Sequence, residues 1–251
     1  MRAIIRYQRK FDTVVRNYSL YGTSNGERWL LSLMDAEPVV FDVGFHSGSS
    51  TIEILRMRPR ARVVAFDPSR SALEEYRTNF AGDARVTFHN IGLSDKPGES
   101  EFYDYQNQCN SLARRRDIPP TSPAIYSVPI GTLDSFCSEQ RVGHINLLKI
   151  DAEGFDLNVL EGARELLSGQ QVDIFLFEFG GGWSAQKRYL WEADEFVQPF
   201  EYSLFHLFNG FLCPLRYDST IDSCNTLPAM YVGISNRRMS RGDIATRDYR
   251  F

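Results

Sequence analysis

The segment Phe41–Ser50 contains residue types that suit a ligand-binding loop. Asp42, Gly44 and Gly48 form an Asp-x-Gly-x-x-x-Gly pattern at the end of a short apolar run. Glycine lets the backbone approach a ligand that a Cβ atom would exclude. The pattern differs from the Gly-x-Gly-x-x-Gly of dinucleotide-binding enzymes, because residues 45–47 replace the middle glycine that admits a pyrophosphate. The carboxylate of Asp42 is suited either to ordering this loop or to facing a cationic amino group.

A second acidic residue, Asp67, ends the next apolar run, nineteen residues after Gly48. At the end of a strand, a carboxylate can accept hydrogen bonds from both hydroxyls of a ribose. The alternative is structural, because an aspartate before a proline, here Pro68, is commonly a turn residue. Together, at the ends of two predicted strands, the glycine-containing loop and Asp67 favour an adenosine-containing ligand.

Four charged residues lie at the ends of two later apolar runs: Lys149, Asp151, Glu153 and Glu178. Lys149 and Asp151 are two positions apart in an extended segment, so their side chains point to the same face. An isolated charge beside a buried strand is unfavourable, and these groups therefore need mutual pairing or a ligand. Two interpretations stay open: an ion-pair network of Lys149 with Asp151 or Glu178, and a set of catalytic groups.

The elements that would position these residues alternate between short apolar runs and amphipathic segments. The runs are almost continuously apolar, as expected of parallel strands that are buried on both faces. The predicted strands are Val39–Val43, Val63–Phe66, Val86–Phe88, Ile145–Ile150 and Val172–Phe179, and the predicted helices are Ser49–Met57, Ser71–Phe80 and Asp156–Leu167. We therefore predict an α/β fold with a Rossmann-like, mostly parallel sheet and helices on both faces.

Other segments frame this alternation. Thr23–Met34 predicts a helix ahead of the sheet, because its apolar residues recur at helical spacing. Ser94–Pro129 interrupts the alternation and predicts an inserted hairpin and a mobile loop before the fourth strand. Within it, Arg114–Arg116 is either a solvated charge run or an anion clamp for a sugar phosphate or carboxylate. Tyr202–Phe208 and Met230–Ile234 are predicted late strands.

Length and composition limit the domain organisation and the class of partner. The 251 residues, 43% of them hydrophobic, predict an N-terminal helical extension over residues 1–37 and a Rossmann-like domain over residues 38–251, with the insertion near residues 95–130. The net charge of -4 argues against nucleic acid or an anionic membrane as partner and favours a small molecule. An oligomer is compatible with the sequence.

The cysteines and the hydropathy indicate the compartment. The four cysteines form no Cys-x-x-Cys pair, which favours reduced thiols and a cytoplasmic location. No apolar run approaches the ~20 residues that a membrane-spanning helix needs, and residues 1–21 lack the apolar stretch of a secretory signal. We therefore expect no transmembrane segment.

Over roughly Pro38–Glu178, the chain resembles the FkbM family of S-adenosylmethionine-dependent methyltransferases. The resemblance rests on six blocks in order: FDVGFHSGSS, VVAFDPS, NIGLSD, VPIGTLDSF, LLKIDAEGFDLNVLEGA and FLFEF. It implies the class I methyltransferase fold, with a seven-stranded sheet whose last strand is antiparallel. The chain departs from the family at Phe45 and His46, where the family usually has Ala-Asn, and this departure affects the first loop.

The resemblance also implies a cofactor site for S-adenosylmethionine. Gly44 and Gly48 would line its methionine and ribose parts, Asp67 would hold the ribose hydroxyls, and Asn90 with Ile91 would flank the adenine. Asp151 would lie beside the reactive methyl group. The complete set of predicted cofactor-binding residues is Asp42, Gly44, His46, Gly48, Asp67, Asn90, Ile91 and Asp151.

We assign the predicted catalytic role to Asp151, His206 and Lys149. Asp151 or a histidine would accept the proton of an acceptor hydroxyl, and such general-base help is worth about 10²–10⁴-fold in rate. His46 and His206 are the candidate histidines, because imidazole commonly acts as a general base. In a second version, ranked lower, Asp151, Glu153 and Glu178 would hold Mg²⁺, which prefers oxygen ligands.

The predicted function is therefore O-methylation of a hydroxyl on a small molecule, a sugar or a glycan. Two alternatives belong to other classes. An NAD-linked oxidoreductase is disfavoured because the first loop lacks the middle glycine. A non-catalytic adenosine-binding or scaffold protein is the second alternative, because resemblance transfers fold more safely than function.

Overall fold

The computed structural model describes residues 26–106, 109–115, 122–217 and 229–248. The strands in these ranges are β1 (Val39–Val43), β2 (Arg62–Phe66), β3 (Val86–His89), β4 (Gly92–Leu93), β5 (Gly98–Asp104), β6 (Ala124–Gly131), β7 (Ile145–Ile150), β8 (Val172–Phe179), β9 (Tyr202–Phe208), β10 (Phe211–Pro214) and β11 (Ala229–Ser235). The helices are α1 (Glu27–Ser32), α2 (Ser49–Met57), α3 (Arg70–Asn79), α4 (Leu133–Gln140), α5 (Asp156–Glu161), α6 (Arg164–Ser168), α7 (Gly181–Ala185), α8 (Leu190–Val197) and α9 (Asn236–Met239), with a 3₁₀ turn at Gln198–Phe200.

The main sheet has the strand order β10-β9-β11-β8-β7-β1-β2-β3. Strands β3, β2, β1, β7 and β8 pair in parallel, and β11 is antiparallel to both β8 and β9. The predicted Rossmann-like parallel sheet and its antiparallel last strand are therefore confirmed.

The predicted number of seven strands is wrong, because β10 adds an eighth strand in the described chain. It pairs antiparallel with β9, Phe211 opposite Phe208. The two strands are joined through Asn209 and Gly210, and Gly210 has a φ of 92°. Asn-Gly between apolar segments is a strong hairpin signal, so this strand was readable from the sequence.

Strand β8 shows how the sheet is covered on both faces. Phe175 and Phe177 lie in one hydrophobic cluster, whereas Ile174 and Leu176 lie in the other. Successive side chains of a strand point to opposite faces, so the two clusters are the two cores on either side of the sheet. This arrangement confirms the predicted burial of the parallel strands on both faces.

The predicted helix Asp156–Leu167 is interrupted, and its residues form α5 and α6. The break lies at Gly162, where an added Cβ would be 2.1 Å from the carbonyl oxygen of Ser94. The chain approaches Ser94 so closely that only glycine fits, and the second helix begins after it. Helical periodicity in the sequence does not report such a close tertiary contact.

The insertion forms a small second sheet with the order β4-β6-β5. Strands β5 and β6 pair antiparallel from Gly98 opposite Ile130 to Asp104 opposite Ala124. The predicted hairpin is thus present. Residues 107–108 and 116–121, and with them Arg116 and part of the predicted loop, lie outside the described residues.

The N-terminal part is described only from Gly26. Helix α1 lies within the predicted helix Thr23–Met34, and its Leu30 is fully buried in the same cluster as Val40 of β1. Residues 1–25 lie outside the described residues, so the division at residue 37 stays a prediction. In the described part of the chain, no helix has the length and apolar character to cross a membrane.

Candidate active site

A cavity of about 400 Å³ lies at the carboxyl ends of the parallel strands. In open α/β sheets, ligands bind at this edge. The sequence-predicted residues that line the cavity are Gly44, His46, Asp67, Ile91, Lys149, Asp151, Glu153 and Glu178. The inserted sheet and the segment between its strands β5 and β6 contribute further lining residues, Phe102, Asn110, Ser111 and Leu112.

The first loop is fixed by backbone contacts. The amides of Gly44 and Phe45 both donate to the carbonyl of Phe66, at 2.9 and 3.2 Å. Gly44 has a φ of 86°, and an added Cβ would be 2.0 Å from the carbonyl oxygen of Asp151. Gly44 is therefore required by close packing of β1 against the segment after β7. This reason is additional to the close ligand approach that the sequence suggested.

Gly48 also meets protein atoms. An added Cβ there would be 2.6 Å from the ring of Phe80 and 2.7 Å from the ring of Phe45. Gly48 is not among the residues that line the cavity, whereas His46 is. The departure from the family pattern thus places one aromatic ring in the core and one imidazole at the cavity.

Asp42 lies beneath the cavity and does not line it. Its side chain is fully buried, and Oδ2 accepts a hydrogen bond of 2.7 Å from the hydroxyl of Thr51 at the start of α2. Burial raises the pKa of Asp42, and the nearby ammonium of Lys149 opposes that shift. Of the two roles predicted for this carboxylate, the geometry favours ordering the loop.

Asp67 lies at the cavity wall and is largely buried. Its Oδ2 accepts from the amide of His46 and its Oδ1 from the amide of Ser69, both at 2.8 Å. Burial is the largest cause of its raised pKa, against which these hydrogen bonds act. The second bond is the turn that the structural alternative predicted. Each carboxylate oxygen retains another lone pair for a ligand hydroxyl.

Asn90 stabilises the backbone around Asp67 through its side-chain amide. Its Nδ2 donates to the carbonyls of Asp67 and Ser69, at 2.7 and 3.1 Å. The cavity is lined by Ile91, the next residue, and not by Asn90. Asn90 therefore fixes the turn after β2, and Ile91 offers the apolar surface.

Lys149 links two carboxylates at the edge of the sheet. Its Nζ lies 3.3 Å from Oδ2 of Asp151 and 3.9 Å from Oδ1 of Asp42. Burial acts to lower the pKa of Lys149, but the charges of Asp151 and Asp42 outweigh burial and raise it. Lys149 is therefore charged. The predicted ion pair with Asp151 is present, and the side chain of Asp151 stays 43% exposed toward the cavity.

Glu178 ends β8 beside this group. Burial raises the pKa of Glu178 to about 8, with the negative charges of Asp151, Glu153 and Asp156 adding to the effect and Lys149 opposing it. At neutral pH most of this carboxyl is therefore protonated. A neutral carboxyl is both a hydrogen-bond donor and an acceptor.

Asp156 was missed by the sequence analysis. It is buried, and its carboxylate accepts from the amides of Gly154 at 3.1 Å and Ala152 at 3.4 Å. Burial, the largest cause, raises the pKa of Asp156 to about 8. The sequence signal is its position in the first turn of a predicted helix, where a carboxylate is favoured.

The insertion is fastened to the segment after β7. The hydroxyl of Ser111 donates to the carbonyl of Glu153 at 3.1 Å, and Arg115 forms an ion pair with the carboxylate of Glu153. The side chain of Arg115 is only 7% exposed. The interpretation of Arg114–Arg116 as a solvated charge run is therefore wrong for Arg115. This residue holds the insertion against the segment after β7.

The structure separates one predicted catalytic residue from the others. His206 lies on β9, with its ring centroid 4.6 Å from that of Tyr231, and does not line the cavity. The predicted role of His206 thus lacks support from the geometry. The magnesium alternative also lacks support, since no group of three or more His, Cys, Asp or Glu side chains among the described residues is arranged to hold a metal ion.

Comparison with known proteins adds a family to this geometry. The sequence model of the methyltransferase FkbM domain matches residues 42–213, which is more than half of the chain. The chain belongs to the FkbM methyltransferase family. The resemblance inferred from the six sequence blocks is therefore confirmed.

Two curated relatives have matched segments of similar length. The 2-O-methyltransferase NoeI of Sinorhizobium fredii is 26% identical over 157 residues, which cover 56% of this chain and 64% of NoeI. Methyltransferase 1 of Beauveria bassiana is 26% identical over 142 residues, covering 49% of this chain and 57% of that protein. The chain thus matches less than two thirds of the length of these relatives.

A solved structure shares the fold. The crystal structure of methyltransferase FkbM from Methylobacillus flagellatus superposes with a TM-score of 0.52 at 15% identity. The superposition covers 86% of this chain and 47% of that chain. The likeness at this level of identity concerns the fold.

Proposed function

We propose that this FkbM-family protein transfers the methyl group of S-adenosylmethionine to a hydroxyl oxygen of a small molecule, a sugar or a glycan. The observation that carries the proposal is a single cavity that joins Asp67 at the end of β2 to Asp151 at the end of β7. One carboxylate suits a ribose, and the other lies where an acceptor can be deprotonated. The cavity volume of about 400 Å³ is within the usual range for small-molecule sites.

The residues around Asp67 fit an adenosine-containing cofactor. Asp67 offers acceptor lone pairs to the two ribose hydroxyls, and Ile91 offers an apolar surface to the adenine ring. His46 lies on the same wall. S-adenosylmethionine supplies a methyl group already activated by a positive sulfur, so the protein mainly has to orient the acceptor.

Asp151 is the proposed general base. As the acceptor oxygen bonds to the methyl carbon, the carbon–sulfur bond breaks, its electron pair stays on sulfur, and the acceptor proton moves to the Asp151 carboxylate. Lys149, 3.3 Å away, holds that carboxylate in place. The relative NoeI is a 2-O-methyltransferase, which supports oxygen as the methyl acceptor here.

The first test is calorimetry of the purified protein with S-adenosylmethionine, S-adenosylhomocysteine and NAD. We expect micromolar affinity for the first two and none for NAD. Transfer of tritium from methyl-labelled S-adenosylmethionine to a panel of hydroxylated acceptors then tests catalysis. Binding of NAD alone would favour the oxidoreductase, and cofactor binding without transfer to any acceptor would favour the scaffold protein.

A further inference from the structure

The cavity extends along the edge of the sheet and has two halves. Asp67 and Ile91 belong to the β2–β3 side, whereas Asp151, Glu178 and Met230 belong to β7, β8 and β11. Neighbouring strands lie ~4.8 Å apart, so three strand spacings put Glu178 at the end of β8 roughly 14 Å from Asp67 at the end of β2. With the cofactor's adenosine at Asp67, the half around Asp151, Glu178 and Met230 is left for the acceptor. We call it the acceptor half.

Glu178 differs from the other carboxyl groups of this region. The carboxylate of Asp156 accepts two backbone amides, and that of Asp151 accepts from Lys149. Within the described chain, the carboxyl group of Glu178 makes no hydrogen bond or ion pair, and it lines the cavity. A partly buried polar group without a partner is unfavourable. A ligand hydroxyl in this half would satisfy it.

The charges of the same half discriminate between acceptors. The carboxyl groups of Asp151, Glu153 and Glu178 face this space, while the ammonium of Lys149 is already engaged by Asp151 and Asp42. Asp151 is paired with Lys149, Glu153 is paired with Arg115, and Glu178 is mostly protonated, so a charged acceptor would meet groups whose charges are already balanced and would lose hydration without gaining a counter-charge. A hydroxyl group, in contrast, can donate to Asp151 and exchange hydrogen bonds with Glu178.

Apolar side chains also line the acceptor half of the cavity. Met230 is the β11 neighbour of Glu178 in the sheet, and Leu112 approaches from the insertion beside Ser111. Both line the cavity. Apolar side chains together with carboxyl groups match a ring that carries C–H groups on its faces and hydroxyls on its edge.

We propose that the acceptor is an uncharged pyranose or similar cyclic polyol, and that Glu178 is a specificity-determining residue that hydrogen-bonds one of its hydroxyls, while the ion pairs of Asp151 with Lys149 and of Glu153 with Arg115 disfavour charged acceptors. This inference rests on the proposed methyl transfer. It disfavours an anion clamp at Arg115, because Arg115 is paired with Glu153.

The test measures binding of sugars to the protein saturated with S-adenosylhomocysteine. The probes are methyl pyranosides of the gluco, galacto, manno, xylo and fuco series, a methyl glucuronide, glucose 6-phosphate and methyl glucosaminide, followed by saturation-transfer NMR. At least one neutral pyranoside is expected to bind, with the glucuronide and the phosphate at least about tenfold weaker. Equal binding of the anions, preferred binding of the amine, or binding of no neutral pyranoside would each overturn the proposal.

Variants then assign the contact to Glu178. Glu178→Leu is expected to weaken binding of the neutral pyranoside about three- to tenfold, the usual effect of one neutral hydrogen bond. Glu178→Gln retains a donor and an acceptor and should stay within about twofold of wild type. Glu165→Gln, on the exposed surface of α6, is the matched control. Unchanged binding in Glu178→Leu would remove the assigned role.

Failure of this inference is distinguishable from failure of the proposed function. Wild-type protein that binds neither S-adenosylmethionine nor S-adenosylhomocysteine contradicts the function itself. Protein that binds the cofactor and methylates an anionic acceptor supports the function and contradicts the inference. The comparison of neutral and anionic probes uses wild-type protein, so it does not depend on the folding of any variant.

Discussion

The Nζ atom of Lys149 lies 3.3 Å from Oδ2 of Asp151, and the same ammonium is 3.9 Å from the fully buried carboxylate of Asp42. One cation therefore serves a carboxylate in the core and another at the cavity. Its position connects the stability of the sheet edge to the orientation of the proposed base.

Replacing Lys149 by Met should destabilise the protein. The variant leaves Asp42 buried without its cation, and breaking a buried pair in this way costs about 3 to 5 kcal/mol. Urea unfolding at pH 7 measures the loss, with Lys96→Met on the exposed surface as the control. The double variant Lys149→Met, Asp42→Asn should recover part of the stability. A loss no greater than that of the control would contradict the interpretation.

Asp67→Ala should weaken cofactor binding about ten- to hundredfold. Hydrogen bonds to a charged group contribute about 1.5–3 kcal/mol, and 1.4 kcal/mol corresponds to a factor of ten. Calorimetry with S-adenosylhomocysteine measures the effect. Glu74→Ala, an exposed carboxylate on the following helix, is the control. Equal affinities of the two variants would place the ribose elsewhere.

Gly44→Ala should both destabilise the protein and abolish cofactor binding. The new Cβ would be 2.0 Å from the backbone of Asp151, at a φ of 86° that alanine disfavours. Overpacking alone costs about 1–3 kcal/mol. Gly82→Ala is the control, since no atom lies within 4 Å of a Cβ there. Thermal unfolding measures the stability, and calorimetry measures the cofactor affinity. A Gly44→Ala variant with the stability and affinity of the wild type would show that Gly44 does not lie against the backbone of Asp151.

Glu178 should make stability depend on pH. Burial raises its pKa to about 8 from a usual value of 4.5, with Asp151, Glu153 and Asp156 adding negative charge and Lys149 opposing. The folded state then holds the proton more tightly than the unfolded state. Rising pH between these two pKa values therefore destabilises the wild type.

Glu178→Gln removes this proton linkage. The unfolding free energy of the variant relative to wild type should rise between about pH 4.5 and 8, by at most about 1.4 kcal/mol per pH unit, and level off above pH 8. Urea unfolding of both proteins at several pH values measures the difference in unfolding free energy. Asp156 is present in both proteins, so its contribution to the pH dependence cancels. A difference that is flat across this range would mean that Glu178 ionises normally.

Arg115→Gln should raise KM for the acceptor and leave cofactor affinity unchanged. The variant removes the ion pair with Glu153 that holds the insertion, and with it Leu112, against the acceptor half. Steady-state kinetics and calorimetry separate the two effects. The control is Arg77→Gln, which removes an exposed ion pair with Glu74 on α3. Weakened cofactor binding with unchanged KM would assign the insertion to the other half of the cavity.

The sequence by itself determined the fold class and the edge of the sheet at which the cavity lies. Near-continuous apolar runs specify parallel strands, and the carboxyl ends of parallel strands meet at one edge. Asp67, Asp151 and Glu178 could therefore be placed together before any contact was known. The formation and burial of these strands follow from apolar runs of a few residues, and such runs are visible in a single sequence.

Only the tertiary structure decided which of these side chains faces the cavity. Asp42 turns to Thr51, Gly162 breaks a helix against Ser94, Arg115 crosses to Glu153, and His206 stays beside Tyr231. Each of these contacts, apart from that of Asp42, joins segments far apart in the chain. Their geometry depends on how the elements pack, because burial, charge pairing and close backbone approach are properties of neighbours in space and leave no periodic signal in the sequence.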